Sequence, residues 1–305
     1  MQAGRCAPPV VLCTVADMQI RHTQRTPSIH HALHFKPAQY ATLRPRLARN
    51  LSRAPSRLVP VRAKASSDAL AGLRILEWTG SPSEVQALDQ VREKMAASPY
   101  SEQITEDQMR WFLLDRKFDV EATVDKLIKM LRWRREFGAD ELKTTDVAKE
   151  AATGKAYLHT TLDIQNRPVI IVRAAKHVNG AAPLLESQKL CVHTLDRAME
   201  RLPETGQETI LGIFDLRGFT SKNADLGFIR FMVDVFFTFY PKRLSQVLFV
   251  DAPWIFMASW SVFKTWLSKY QALVRFVSAE QVRKEYFTSE TVPDDFADEG
   301  FPRKK

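Results

Sequence analysis

Cysteine is scarce: Cys6, Cys13 and Cys191 are the only three in 305 residues. The first two lie in an N-terminal segment that reads as a removable leader, so the remainder cannot form an intramolecular disulfide and suits a reducing compartment. Histidine is scarce too. Beyond residue 65 only His159, His177 and His193 remain, none with a neighbour at metal-ligand spacing, so no metal site is expected. Cys191 and His193 stand about 200° apart on a helix, where their side chains diverge, and a packed cysteine beside a surface histidine is the reading. Nucleotide-binding patterns are missing as well. No G-x-G-x-x-G follows a strand, and the stretch from Gly212 to Gly218 has neither Walker spacing nor a following Lys-Ser or Lys-Thr. The G-x-S-x-G elbow of α/β hydrolases is absent. With no nucleophile, cofactor or metal signature, the chain is read as a non-enzyme that needs no cofactor.

Acid is nearly absent from one segment only. Residues 1–65 hold eleven Lys or Arg and a single acid, Asp17, in a stretch rich in Ser, Pro and Ala that lacks a continuous apolar h-region. That composition predicts an organelle transit peptide, with a retained disordered basic tail as the other reading. "VRAKASS" (Val61 to Ser67) resembles a plastid processing site, which points to the chloroplast stroma, peripheral at envelope or thylakoid membranes, with the mitochondrion as the alternative. The other residues carry thirty-three basic against thirty-four acidic side chains, so the formal charge of +9 belongs to the leader. A nucleic-acid footprint on the folded part is thereby excluded.

What is present divides in two. From residue 81 to about 140 the apolar spacing is helical. "SPSEVQALDQVREKMAAS" opens on a capping Ser and places Val85, Leu88, Val91 and Met95 in one stripe. Thr105 caps a second helix, and a third puts Val120, Val124, Leu127, Leu131 and Phe137 on a face and stops at Gly138. Narrow stripes of this kind bury little alone and read as a cap on something larger. From Ala156 the pattern changes to short apolar runs: "AYLHTTLD" and "RPVIIVRAA" as a hairpin-like pair, then "TILGIFDL", "VLFVDAP" and "VRFVSA". Helices are expected between them over residues 184–201, 226–239 and 253–268. This is an α/β pattern with a mixed sheet, in which "VIIV" and "VLFV" are covered on both faces.

The greasiest stretch lies near the end. Residues 255–267 hold two Trp, two Phe, an Ile, a Met, a Val and a Leu beside one charge, Lys264. No run reaches the roughly twenty residues of a membrane span. On a helical wheel Phe256, Trp260, Phe263 and Leu267 fall within about 60°, flanked by Ile255, Ser259, Val262 and Trp266, with Ser261, Lys264, Thr265 and Ser268 opposite. The helix before it, "LGFIRFMVDVFFTFYP", is apolar around nearly its whole circumference and is expected to be buried all round. Either both helices fill a dense core, or they wall an apolar cavity from which the second can swing onto a membrane.

Four stretches resemble the CRAL-TRIO family of lipid-binding proteins, which includes phosphatidylinositol/phosphatidylcholine transfer proteins and cellular retinaldehyde-binding protein. They are "WFLLDRKFDVEATVDKLIKMLRWRREFG", "DIQNRPVIIVR" with Asn166 in place of Gly, "IFDLRGFT", and "YPKRLSQVLFVDAPWIF". Beyond the transit peptide that composition predicts over residues 1–65, the resemblance implies a helical N-terminal module over 81–140 and a lipid-binding α/β domain over 150–301. Its mixed sheet would floor an apolar pocket closed by a gate helix carrying Trp254, Phe256, Trp260, Phe263, Trp266 and Leu267. Exposing about 500 Å² of apolar gate to water costs about 12 kcal/mol, so opening awaits a membrane, while a chain of about sixteen methylenes gains about 13 kcal/mol on burial.

The resemblance also implies a head-group site. Arg116 and Arg243 stand where phosphatidylinositol-binding members place basic residues, Lys242 replaces an acid, and Arg275 follows Val274, which occupies the position of a family Lys. Phe214, Phe228, Phe231 and Val235 are the expected tail contacts. Ile210 and Gly212 replace hydroxyl residues that hold phosphatidylcholine. A planar guanidinium suits a phosphate, so the expected ligand is an anionic phospholipid, phosphatidic acid or a phosphoinositide, transferred between plastid membranes through reversible contact with their surfaces. The alternative is a lipid or carotenoid carrier or sensor that regulates a protein partner or vesicle formation.

Overall fold

The computed structural model describes residues 76–298; the expected transit peptide and the last few residues of the expected lipid-binding domain lie outside the described residues. Three helices come first: α1 (Pro82–Ala96), α2 (Glu106–Asp115) and α3 (Val120–Phe137). Ser81 and Thr105 close capping boxes with Glu84 and Gln108, Asp119 accepts from the Ala122 amide, and Gly138 ends α3 at φ 71°. The α1 face centres on Leu88, Val91 and Met95, which leaves Val85 exposed and buries Ala87 in its place. Contrary to the expectation of a thin cap, the three helices enclose a core of their own around Leu113, Leu127 and Met130. A short helix, α4 (Thr144–Ala152), then leads to the sheet.

The sheet runs in the order β1 (Ala156–Leu158), β2 (Val169–Arg173), β3 (Ile210–Asp215), β4 (Leu244–Val250), β5 (Val274–Val277). β1 pairs antiparallel with β2 and every later pair is parallel. Asn166, at φ 59° in the loop before β2, adopts the left-handed conformation that Asn tolerates best after Gly, which is why it can stand at the glycine position. The parallel strands are joined through α5 (Leu184–Glu200) with α6 (Leu202–Thr205), α7 (Leu226–Asp234) and α8 (Trp254–Leu267). Each crossover steps to the next strand in one direction, and right-handed crossovers therefore put all three on one face. The last helix, α9 (Ala279–Tyr286), covers the other.

Strand alternation sorts the side chains. Val169, Ile171, Leu211, Ile213, Leu248 and Val250 pack against Val282, Tyr286, Val292 and Phe296 in a filled core. Val172, Gly212, Phe214, Val247, Phe249 and Val274 point the other way, toward the crossover helices. There the packing is incomplete. Residues 226–239 were expected to form one fully buried helix; instead α7 contains no fully buried residue and turns at Val235–Phe239 into a π-helical segment in which only Val235 is buried. Phe228 and Phe236 keep accessible surface because they face a hollow.

Backbone strain brackets α8. Asp251 has φ 46°, and Ser268, with φ 47° and ψ −127°, holds a backbone corner that glycine favours, at the start of a 3-10 segment over Ser268–Leu273. Neither end of α8 has a side-chain cap. Ser268→Gly is expected to relieve about 1 kcal/mol of strain and to raise the melting temperature by roughly 2 °C; an unchanged or lower midpoint would show that the corner is relaxed with serine in place.

Candidate functional site

Between sheet and crossover helices lies an apolar hollow whose empty space, counted with the solvent at its open side, is about 960 Å³. Val172, Phe214, Val247 and Phe249 floor it, Phe228, Ile229, Met232 and Phe236 wall one side, and Phe256, Phe263 and Leu267 of α8 close another. A second hollow of about 620 Å³ adjoins it toward α5, sharing Val172, His177, Phe214 and Phe228. Gly212 lines this second chamber, and its missing side chain leaves the space open.

α8 is two-faced. Phe256, Phe263 and Leu267 are buried and line the larger chamber, whereas Trp260 sits edge-on to Phe249, Phe263 and Phe276 at 5.2–5.5 Å and does not line it. Trp266 is half-buried and carries the Arg230 guanidinium over its ring at 5.7 Å, tying α8 to α7. The outer face shows Trp254, 85% exposed, with Met257 and Val262. Val262, expected to flank the inner face, is on the outside. No helix of the described residues is long and apolar enough to cross a membrane.

Of the expected tail contacts, Phe214 and Phe228 line both chambers. Phe231 instead stacks on Phe137 at 5.8 Å, and Val235 is fully buried in a packed cluster with Ile170 and Leu195; neither lines a chamber. None of the four expected head-group cations lines one either. Arg243 donates to the Glu208 carboxylate at 2.8 Å and lies over the Trp111 ring at 3.4 Å, and burial pulls its pKa down against the pull of Glu208. Arg275 pairs with Glu285 and donates to the Tyr286 hydroxyl, on the sheet face turned away from the hollow.

Arg116 is placed differently. Its Nε donates to Asp115 Oδ2 at 2.8 Å, and the same oxygen accepts from Lys126 Nζ at 2.6 Å. Burial lowers the Lys126 ammonium, Asp115 raises it, and Arg116 and Lys242 both lie close enough to depress it further. Two cations, Arg116 and Lys126, thus bond one buried carboxylate, with Lys242 close to Lys126. Lys126 also donates to the Phe237 carbonyl at 3.3 Å, and Phe237 stacks on Tyr270 at 3.8 Å; both rings line the larger chamber. Burial raises the Tyr270 hydroxyl, with Asp115 adding to the shift and Arg116 opposing it. The basic cluster therefore abuts the chamber at Tyr270. Lys126 escaped the sequence reading because it is one of several Lys and Arg along α3.

A second polar group stands where the chambers meet. Lys155 is ion-paired with Glu150, donates to Ser187 Oγ at 3.0 Å and approaches His177 Nδ1 at 3.5 Å. Ser187 donates to Glu150 at 3.0 Å, and His177 Nε2 donates to Asp225 at 3.2 Å while its ring stacks on Phe228. Burial pushes the Glu150 carboxyl up, but hydrogen bonds from Lys155 and Ser187 outweigh it and hold the group below its ordinary value. Nearby Cys191 is half-buried, its thiol pushed up to about 12 by desolvation, so it is no nucleophile. None of this cluster was foreseen; its members come from four segments with no common motif.

Residues 151–296 match the model of the CRAL/TRIO domain family. Over 195 residues the chain is 29% identical to a CRAL-TRIO domain-containing protein of Schizosaccharomyces pombe, covering 57% of this chain and 44% of that protein. It is 26% identical to a phosphatidylinositol transfer protein of Eremothecium gossypii over 60% of this chain and 44% of that protein. The chain thus matches less than half the length of these two relatives. The crystal structure of Sfh5 superposes with a TM-score of 0.54 at 13% identity, over 70% of this chain and 86% of that one, a likeness of fold.

Proposed function

Since residues 151–296 make this chain a member of the CRAL-TRIO family, we propose that it holds one lipid in the apolar hollow and carries it between membranes without making or breaking a bond. One observation carries the reading: the hollow's wall is the underside of α8, a helix with exposed Trp254 outside and strained, uncapped ends. A wall that can swing at Asp251 and Ser268 gives a ligand a way in and out, and its motion sets the exchange rate.

The ligand proposed is an anionic phospholipid such as phosphatidic acid or a phosphoinositide, its tails in the chamber and its phosphate beside Tyr270, where Arg116 and Lys126 share the single carboxylate of Asp115 and Lys242 lies near Lys126. The name of the Eremothecium relative supports phospholipid as the class. The site of action proposed is a plastid membrane, on the composition of the first 65 residues alone. A second reading, a carotenoid or other isoprenoid held as a signal for a protein partner, is favoured by the nearly unbroken apolar lining.

Transfer of labelled phosphatidic acid and phosphatidylcholine between liposomes separates these. Transfer of phosphatidic acid is expected to exceed that of phosphatidylcholine, and Arg116→Gln, which keeps the Lys126–Asp115 bond, is expected to shrink that preference about fivefold. Transfer no faster than without protein ends the carrier reading, and tight retention of an extractable isoprenoid selects the second.

A further inference from the structure

The polar cluster where the chambers meet is unusual in its charge balance. Glu150 offsets Lys155, the one fixed cation of the cluster, and Asp225 accepts from His177. Glu150, Lys155 and Ser187 are each more than nine-tenths buried. An incoming carboxylate or phosphate would meet Glu150 and Asp225 and gain nothing from a cation already neutralised. A purely apolar group would leave the cluster as it is.

One contact in it is loose. Lys155 Nζ stands 3.5 Å from His177 Nδ1, longer than a good hydrogen bond, whereas its other bonds are short. Because Asp225 can only accept, the proton of a neutral His177 sits on Nε2 and leaves Nδ1 as an acceptor. Lys155 can only donate. A hydroxyl that spreads the pair by about 1 Å and bridges it would accept from Lys155 and donate to His177 at once. A carbonyl or an ether could use only the first.

Building on the lipid-carrier reading, we propose that Lys155, His177 and Ser187 form a hydroxyl subsite at the mouth of the second chamber, which selects lipids bearing an alcohol on an otherwise apolar chain. The chamber behind it is lined by Ile170, Leu190, Leu195, Ile210 and Leu244, which offer the hydroxyl no competing charge. The alcohol can belong to a free long-chain alcohol or to a hydroxylated acyl chain of a phospholipid.

Two matched probe pairs distinguish these sources. Hexadecanol against hexadecyl methyl ether, and phosphatidic acid with a ricinoleoyl chain against its oleoyl counterpart, are titrated into the full chain and followed by tryptophan fluorescence. The hydroxylated member of at least one pair is expected to bind about tenfold tighter, the worth of one buried hydrogen bond. His177→Phe, which keeps the ring stack on Phe228, is expected to erase that preference, read as the affinity ratio within each pair so that any common change from altering the chamber wall cancels. A preference in the first pair assigns a free alcohol, and one in the second a hydroxylated chain. Equal binding within both pairs by the unaltered chain, or a preference that survives His177→Phe, overturns the subsite while leaving the carrier intact. Failure of every probe to bind overturns the carrier itself, and the subsite with it.

Discussion

Gly212→Leu is expected to fold and to lose its lipid. A Cβ built on Gly212 meets nothing closer than Leu244 Cδ2 at 3.5 Å and the Gln246 carbonyl at 3.8 Å, ordinary contact distances, so the first added carbon fits. The other three project into the second chamber beside Phe214, into space that the sheet itself leaves empty. Gly in a strand interior is otherwise a liability, both for backbone entropy and for the side chain it fails to pack. Displacing about four methylenes of ligand costs about 3 kcal/mol, or roughly a hundredfold in retention. Stability should hold or rise, because the leucine gains contacts the glycine lacked. Mass spectrometry of lipid extracted from both purified chains, together with their melting curves, checks the pair of outcomes; an unchanged lipid complement would mean that the ligand never reaches the second chamber.

That test depends on an empty space, and empty space is what a sequence displays least. Helix starts were legible because Ser81, Thr105 and Asp119 place a local acceptor at the first free amides, and Gly138 a left-handed stop. The strands were legible as short apolar runs, and the two-sided cover of "VIIV" agrees with burial of Val169, Ile170 and Ile171. The amphipathic character of α8 was legible as well, down to Phe256, Phe263 and Leu267 on the inner face. What failed was inference from composition to packing. An apolar circumference was taken to mean burial on all sides in α7, but a ring lining a void has the same sequence as one pressed into a core. The head-group residues failed in another way: Arg243 and Arg275 were read for charge, and the carboxylates that engage them, Glu208 and Glu285, lie on other elements. Lys155, Ser187, His177 and Asp225 span seventy positions and meet only once the strands are in order.

Trp254→Asp is expected to leave ligand retention intact and to slow transfer between liposomes about a hundredfold. Trp254 is the first residue of α8, fully outside the hollow, and its exposure in water has no stabilising return within the protein. At a bilayer the indole gains about 2–3 kcal/mol by entering the interface, and a carboxylate there forfeits that gain and adds a desolvation cost of its own. The same substitution is mild for the fold. An acid in the first turn of a helix interacts favourably with the macrodipole, and α8 has no acid there and no side-chain cap. Retention and transfer therefore come apart: the buried side of α8, Phe256 with Phe263, still closes over the ligand, while the outer side no longer pulls the helix into the membrane. Transfer by Trp254→Asp at the unaltered rate, with vesicle binding preserved, would mean that α8 opens without touching lipid and that the membrane-facing surface lies elsewhere on the protein.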